Sequence, residues 1–152
     1  VGVEYQMGFF LNRASWAMSR YLKSHLRAHG LKEVSVGFIG VLLALAQRDG
    51  LRLTELGQTV SLEKSTMTGL IDRMERARLV RRRSSPNDRR AFRICMTERG
   101  RMIAPEVQRV LKQAYRELTR GMNAEELEQV RASLVQLIRN AYRRERSRRK
   151  KP

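Results

Sequence analysis

Apolar residues recur at steps of three and four along most of this chain, and at steps of two along one short stretch. Over residues 5–29, Leu11, Ala14, Met18, Leu22 and Leu26 form a stripe with Phe10 and Tyr21 beside it. That spacing predicts an amphipathic helix, which His29-Gly30 ends. A second helix is expected from Val36 to Arg48, with Ser35 as its N-cap and Asp49-Gly50 as its stop. It is apolar almost all round and so belongs at the centre of a core.

Two shorter helical segments follow. Leu53–Val60 carries Leu53, Leu56 and Val60 on one side, and Lys64–Arg78 turns Met67, Leu70, Ile71, Met74 and Ala77 inward. The second of them keeps Lys64, Ser65, Thr68, Gly69, Asp72, Arg73 and Arg76 on its other face. Only Ser61-Leu62-Glu63 separates the two, which forces a sharp turn and reads as a helix-turn-helix. A hairpin comes next, with arms Leu79–Ser84 and Ala91–Met96 around Ser85-Pro86-Asn87-Asp88. In its second arm Phe92, Ile94 and Met96 alternate with Ala91, Arg93 and Cys95, so the first three are expected to face inward.

Thr97 can cap a long helix to about Thr119, with Ile103, Val107, Val110, Leu111, Ala114 and Leu118 on one stripe. Pro105 inside it predicts a kink or a late start. Asn123 with Glu126 resembles a capping box at the start of a last helix. The stripe of that helix is Leu127, Val130, Leu134, Leu137, Ile138 and Ala141, continuing to Tyr142. From Arg143 the chain reads as a basic, frayed tail.

Charge adds a partner to this picture. The chain has 152 residues, enough for one domain with a real core, and carries 32 Lys and Arg against 15 Asp and Glu, a net charge of +17. Such an excess suggests nucleic acid first, an anionic membrane surface second and an acidic protein third. It is unevenly spread. Residues 76–101 hold ten arginines and two carboxylates, and residues 143–152 hold seven basic residues and one acid. The stretch RRRSSPNDRRAFRICMTERG, residues 81–100, crowds seven arginines around one turn and calls for an external counter-charge. One cysteine, Cys95, excludes an internal disulfide framework and fits a reducing setting. Residues 36–46 are apolar but too short to span a bilayer, and no signal-peptide pattern is visible, so the expected location is the cytoplasm.

Helix, turn, second helix and basic-tipped hairpin is the order of a winged helix-turn-helix. In such a module the second helix enters the major groove and the hairpin arginines reach the narrower minor groove, where the potential is most negative. Phosphates are then the counter-ions of the arginine cluster.

The residues themselves resemble the MarR family of multiple antibiotic resistance regulators from about residue 35 to 142. The resemblance rests on LTELGQTVSLEKSTMTGLIDRMERARLV (53–80), RRRSSPNDRRA (81–91), MTERG (96–100) and NAEEL (123–127), in order and at the right spacing. It implies a mostly helical homodimer that binds a pseudo-palindromic operator in double-stranded DNA and acts as a repressor. Residues 1–34 and 101–146 would form a helical dimerisation region and 35–100 the winged domain, with a disordered tail at 147–152. Lys64, Ser65, Thr66, Thr68, Gly69 and Arg73 would lie on the recognition helix. Asn87, Asp88, Arg89 and Arg90 would form the wing, Asp88 orienting the arginines in the minor groove. Arg78 departs from the family pattern, standing where Gly is usual. A left-handed residue there costs a side chain roughly 1–2 kcal/mol, so the turn is either different or strained. Gly69 stands where a basic residue is common, Arg52 replaces a cap residue, and Glu63 sits where Asp is commoner.

The family also implies a ligand crevice near the first, second and fifth helices, for a small aromatic or anionic effector. Trp16, Tyr21, Phe38 and Tyr115 are the candidates here, and they serve equally well as packing. His25 and His29 are spaced for a shared ligand but lack acidic or Cys partners close in sequence, so no metal is expected. No cofactor is implied either. The sequence holds no nucleophile–base arrangement, paired-carboxylate signature or phosphate-binding Gly-rich loop, so an enzyme is not expected. The competing reading is a nonspecific or architectural binder of DNA or RNA without effector control. Only 9 of 152 residues are aromatic, which offers little for stacking RNA bases.

Overall fold

The computed structural model describes residues 2–85 and 88–149, with residues 85, 88–91 and 144–149 as backbone only. In chain order the elements are α1 (Val3–Ala28), a 3₁₀ turn (Val36–Phe38), α2 (Ile39–Gln47), β1 (Leu51–Arg52), α3 (Leu53–Val60), α4 (Lys64–Arg76), β2 (Val80–Ser85), β3 (Asp88–Met96), α5 (Glu98–Leu118) and α6 (Ala124–Arg149). The fold is mostly helical with a small antiparallel sheet in the order β1-β3-β2. The expected hairpin is therefore joined by a third strand, Leu51 pairing with Ile94 and Arg52 with Arg93. Two residues are too short to show an alternation in the sequence.

The chain divides into two compact units, Val1–Ala114 and Tyr115–Pro152. The core of the first unit is continuous. Leu22 and Leu26 from α1, Leu42 and Leu45 from α2, and Leu56 from α3 are buried in it. Met67, Ile71 and Met74 from α4, Leu79, Ile94 from β3 and Val107 from α5 are buried in it as well. Each fully buried aliphatic side chain contributes about 1.5–3 kcal/mol relative to leaving it in water. The second unit contains the end of α5 and all of α6. Asn123 and Glu126 cap α6 reciprocally there, Glu126 N–H donating to Asn123 Oδ1 at 3.0 Å and Asn123 N–H to Glu126 Oε2 at 2.7 Å. The α6 stripe is not buried: Val130 is 47% exposed and Ile138 52%.

Several elements differ from expectation. The second helix opens with a 3₁₀ turn in which Phe38 N–H donates to the Ser35 carbonyl at 2.8 Å, and the Ser35 hydroxyl makes no capping bond. Pro105 lies within α5, yet the helix begins at Glu98, so there is no late start. A proline lacks a donor, but only one intrahelical bond is lost and the first turn is fixed otherwise. Thr97 Oγ accepts the Gly100 N–H at 3.0 Å. Beyond Arg143, where a frayed tail was expected, α6 continues to Arg149. Arginine is a good helix former, and neither Gly nor Pro interrupts residues 141–149. Residues 150–152 lie outside the described residues.

Helix α4 stops at Arg76 rather than Arg78 because Arg78 turns left-handed, with φ 57°. The Arg78 N–H donates to the Glu75 carbonyl at 2.8 Å and the Leu79 N–H to the Met74 carbonyl at 3.0 Å. These two bonds make a Schellman termination, which satisfies the last carbonyls and turns the chain into β2. The turn thus has the shape that glycine favours and carries the strain of a Cβ. Just beyond it, the Leu79 carbonyl accepts the Thr97 N–H at 3.0 Å, and a Cβ at Gly100 would overlap that same carbonyl oxygen. Arg78→Gly is expected to raise stability by about 0.5–1 kcal/mol, the relief of left-handed strain less the entropy of a freer unfolded chain. Gly100→Ala is expected to lower it by about 1–3 kcal/mol through overpacking against backbone. Urea denaturation of the two variants checks both signs.

Candidate nucleic-acid interface

The turn between α3 and α4 depends on two small residues. Ser61 is left-handed at φ 57°, ψ 43°, and the Leu62 N–H donates to the Gly57 carbonyl at 2.9 Å. A Cβ on Gly57 would sit 2.9 Å from the Leu62 carbonyl oxygen, closer than side chains come. Leu56 and Met67, both fully buried, face the common core from either side of this turn. At the start of α3, Arg52 has no acceptor to offer, so only the other half of a capping box forms. Glu55 Oε2 accepts the Arg52 N–H at 2.7 Å, and Glu55 Oε1 pairs with Arg48 at 2.6 Å. The bond from the Arg52 backbone, and then the Arg48 charge, hold the Glu55 carboxyl below its ordinary range.

With Met67, Leu70, Ile71 and Met74 buried, α4 leaves Lys64, Ser65, Thr66, Thr68 and Arg73 exposed on its opposite side. Gly69 is half-buried between them, and the Arg73 guanidinium lies 3.9 Å from where its Cβ would be. The Thr68 hydroxyl donates to the Lys64 carbonyl at 3.0 Å. Its hydrogen is therefore committed, and what Thr68 presents outward is a methyl group and an oxygen that can still accept.

The wing strands pair Val80 with Met96, Arg81 with Cys95, Arg82 with Ile94, Arg83 with Arg93 and Ser84 with Phe92. The register then shifts, and Ser85 opposes Asp88, so residues 89–91 are extra on β3. β3 thus begins at Asp88 and not at Ala91 as expected. Alternation puts Arg82 on the face shared with Ile94, and Arg81 and Arg83 on the other. Phe92 lies on the inward face by register but is 51% exposed, since it is beyond the reach of the core that covers Ile94 and Met96. Of the expected wing residues, Asn87 lies outside the described residues. Asp88, Arg89 and Arg90 are placed by backbone alone, in the first residues of β3.

Arg82 was not singled out from the sequence, yet it joins the two parts of the interface. Its backbone N–H donates to Glu75 Oε1 at 2.9 Å, and its guanidinium donates to Glu75 Oε2 and to Asp72 Oδ1, the latter at 2.7 Å. Arg82 and Glu75 are 29% and 30% exposed, so this pairing is only partly screened. The polar face of α4 and the base of β2 are therefore held as one piece. On the opposite side of the sheet base, Asp49 Oδ1 accepts the Met96 N–H at 2.8 Å, and Asp49 Oδ2 pairs with Arg101 at 2.9 Å. Arg93 donates to the Gly50 carbonyl at 2.9 Å. A sequence signal existed for the clamp only in retrospect: an inward-phase arginine in a strand has to meet a carboxylate.

Of the four effector candidates, Trp16 and Phe38 line one cavity of about 420 Å³ in the first unit, and Tyr21 is not among its walls. Tyr21 instead stacks on His25, ring centres 5.4 Å apart, and the His29 ring lies tilted against His25 at 4.7 Å. Tyr115 belongs to the second unit and is 42% exposed.

Residues 39–92 match the MarR family model. Similar solved structures include a probable transcriptional regulator from Pseudomonas aeruginosa, 19% identical with a TM-score of 0.79, the match covering 90% of this chain and 99% of that one. A MarR-family transcriptional regulator from Rhodococcus is 25% identical with a TM-score of 0.72, covering 88% and 92%. A mutant MarR from Escherichia coli, solved in complex with operator DNA, is 20% identical with a TM-score of 0.77, covering 87% and 93%.

Replacing Arg82 by Met keeps the aliphatic stem but leaves Asp72 without that partner and Glu75 with the backbone bond alone. The expected loss is about 1–3 kcal/mol, and hydrogen exchange should quicken first at the β2 and β3 amides. Hairpin exchange unchanged from the parent would mean that strand pairing alone fixes the wing. The segment that matches the MarR family model thus runs from α2 through the α3–α4 helix pair and β2 into the first half of β3.

Proposed function

We propose that this protein is a homodimeric, sequence-specific DNA-binding transcription regulator of the MarR type, acting as a repressor that responds to a small-molecule effector. The observation that carries the DNA reading is the α4 face itself: exposed Lys64, Ser65, Thr66, Thr68 and Arg73, rigidly tied through Asp72, Glu75 and Arg82 to a hairpin rich in arginine. In this reading α4 lies in the major groove and its side chains meet base edges. Arg89 and Arg90 enter the minor groove with Asp88 orienting them, and Asn87 shapes the tip. Arg81 and Arg83 add phosphate contacts, which position the module without reading sequence.

Dimer formation is supported by exposed apolar surface on each unit. On α1, Phe9 and Phe10 are 55% and 61% exposed, with Val3, Tyr5 and Met7 also open to solvent. On α6 the stripe Leu127, Val130, Leu134, Ile138 and Tyr142 is exposed along its length. Contiguous apolar surface of this kind marks an interface, and a second copy of the chain supplies a matching one. Residues 1–34 and 101–146 are proposed to form it. Two recognition helices would then stand about 34–36 Å apart, one turn of duplex. An effector that prefers a dimer of different spacing would release the operator, by no more than its differential affinity.

Selection from randomised duplexes at about 150–200 mM salt, where phosphate-only binding is much weakened, tests this reading. A pseudo-palindrome with half-sites one helical turn apart is the expected product. Featureless, salt-sensitive binding would instead favour an architectural nucleic-acid binder. On the selected operator, Arg90→Ala should weaken binding at least tenfold while sedimentation still reports a dimer. Undiminished affinity would take the wing out of the recognition scheme.

A further inference from the structure

The cavity that contains Trp16 and Phe38 is far more cationic than an aromatic packing site requires. Trp16, Arg20, Lys23 and Arg27 follow one another at steps of four, three and four, so they share one face of α1. The stripe spans about 16 Å at 1.5 Å per residue. Lys32 joins it from the segment that follows the helix, and Val34, Val36 and Phe38 give the cavity an apolar side. Among the residues lining it, Glu33 is the one carboxylate, and it is already engaged by Arg99 at 2.9 Å. Its own backbone N–H first, and Arg99 next, hold the Glu33 carboxyl below its ordinary range. It stays an anion committed elsewhere, and leaves the four cations without a carboxylate of the cavity to neutralise them.

Arg20 lies over the Trp16 ring, 4.8 Å from its centre, which holds the guanidinium at the aromatic end of the stripe among the residues that line the cavity. A ligand with one carboxylate would occupy one of these positions and leave the other cations facing each other. An extended ligand with several negative charges would meet them all. We infer that this cavity binds a phosphorylated small molecule with an aromatic head group, the head against Trp16 and Phe38 and the phosphates along Arg20, Lys23, Arg27 and Lys32. Two or more charges strung in a chain from the head group, rather than a single carboxylate, are what the stripe selects. The inference rests on the effector reading above and specifies its ligand class.

Trp16 is the single tryptophan of the chain, so its fluorescence reports the cavity directly. The probes are adenosine, AMP and ATP, one aromatic head with rising charge, and benzoate as an aromatic monoanion, each titrated at about 150 mM salt to screen loose surface binding. ATP should quench Trp16 with a dissociation constant at least tenfold below that of AMP, with adenosine and benzoate weaker still. Lys23→Ala with Arg27→Ala, both on the exposed side of α1, should raise the ATP constant at least tenfold and leave the melting temperature and the adenosine response unchanged. Benzoate binding as tightly as ATP would overturn the inference, as would ATP binding that survives the double substitution. Quenching by a duplex DNA that the same substitutions abolish would also overturn it, by making the stripe a nucleic-acid contact. Operator release is scored separately on the same samples. ATP that fills the cavity without releasing operator supports the ligand class and sinks the effector role. Benzoate that releases operator without needing Lys23 or Arg27 supports the effector role and sinks the ligand class.

Discussion

The exposed face of α4 and the hairpin beside it are tied together by one side chain meeting two carboxylates. Arg82 stands at the base of β2 and reaches Glu75 and Asp72, three residues apart on α4. Carboxylates at that spacing lie on one side of a helix, and a guanidinium fork is the group that can address both. Because Arg82 also gives its backbone N–H to Glu75, the bond fixes strand as well as side chain. Helix α4 and the base of the hairpin are thereby held together, which the proposed reading of two grooves requires. An error of even an ångström at the clamp would be magnified toward the hairpin tip.

The same region shows how a chain with a net charge of +17 keeps a stable fold. Its few acids sit where arginines must be held. Asp49 meets Arg101, Glu33 meets Arg99, Glu55 meets Arg48, and Asp72 with Glu75 meets Arg82. Apart from that last network, such pairs are exposed and individually worth little. Their effect is to sort the arginines. Those that pair carboxylates define the frame. Among the described residues, Arg81, Arg83 and the cationic stripe of α1 take no part in these carboxylate pairs.

Backbone geometry imposes the other constraint. The helix-turn-helix turn needs a left-handed Ser61 above a Cβ-free Gly57, and the exit from α4 needs a left-handed residue that the sequence supplies as arginine. The Leu79 carbonyl then receives Thr97 while Gly100 makes room for it. Helix α5 is thus started against the end of α4, and the strands between them have no freedom to wander. Strain at Arg78 persists because the Schellman bonds and the Leu79–Thr97 contact over-determine the turn.

Periodicity and local turn chemistry determined the element order. The extent of α3 follows from three apolar residues and the Ser61-Leu62-Glu63 break, the α6 cap follows from Asn123 and Glu126, and the strain at Arg78 follows from an arginine where the family pattern has glycine. Those features are local, and local bonds are written in adjacent residues. What tertiary structure alone decided involves residues far apart in the chain. β1 exists because Leu51 finds Ile94, Phe92 is exposed because the core ends before it, and Tyr21 leaves Trp16 and Phe38 for a stack on His25. The Arg82 clamp belongs with these, because a sequence gives the phase of each side chain while only packing chooses its partner across a gap.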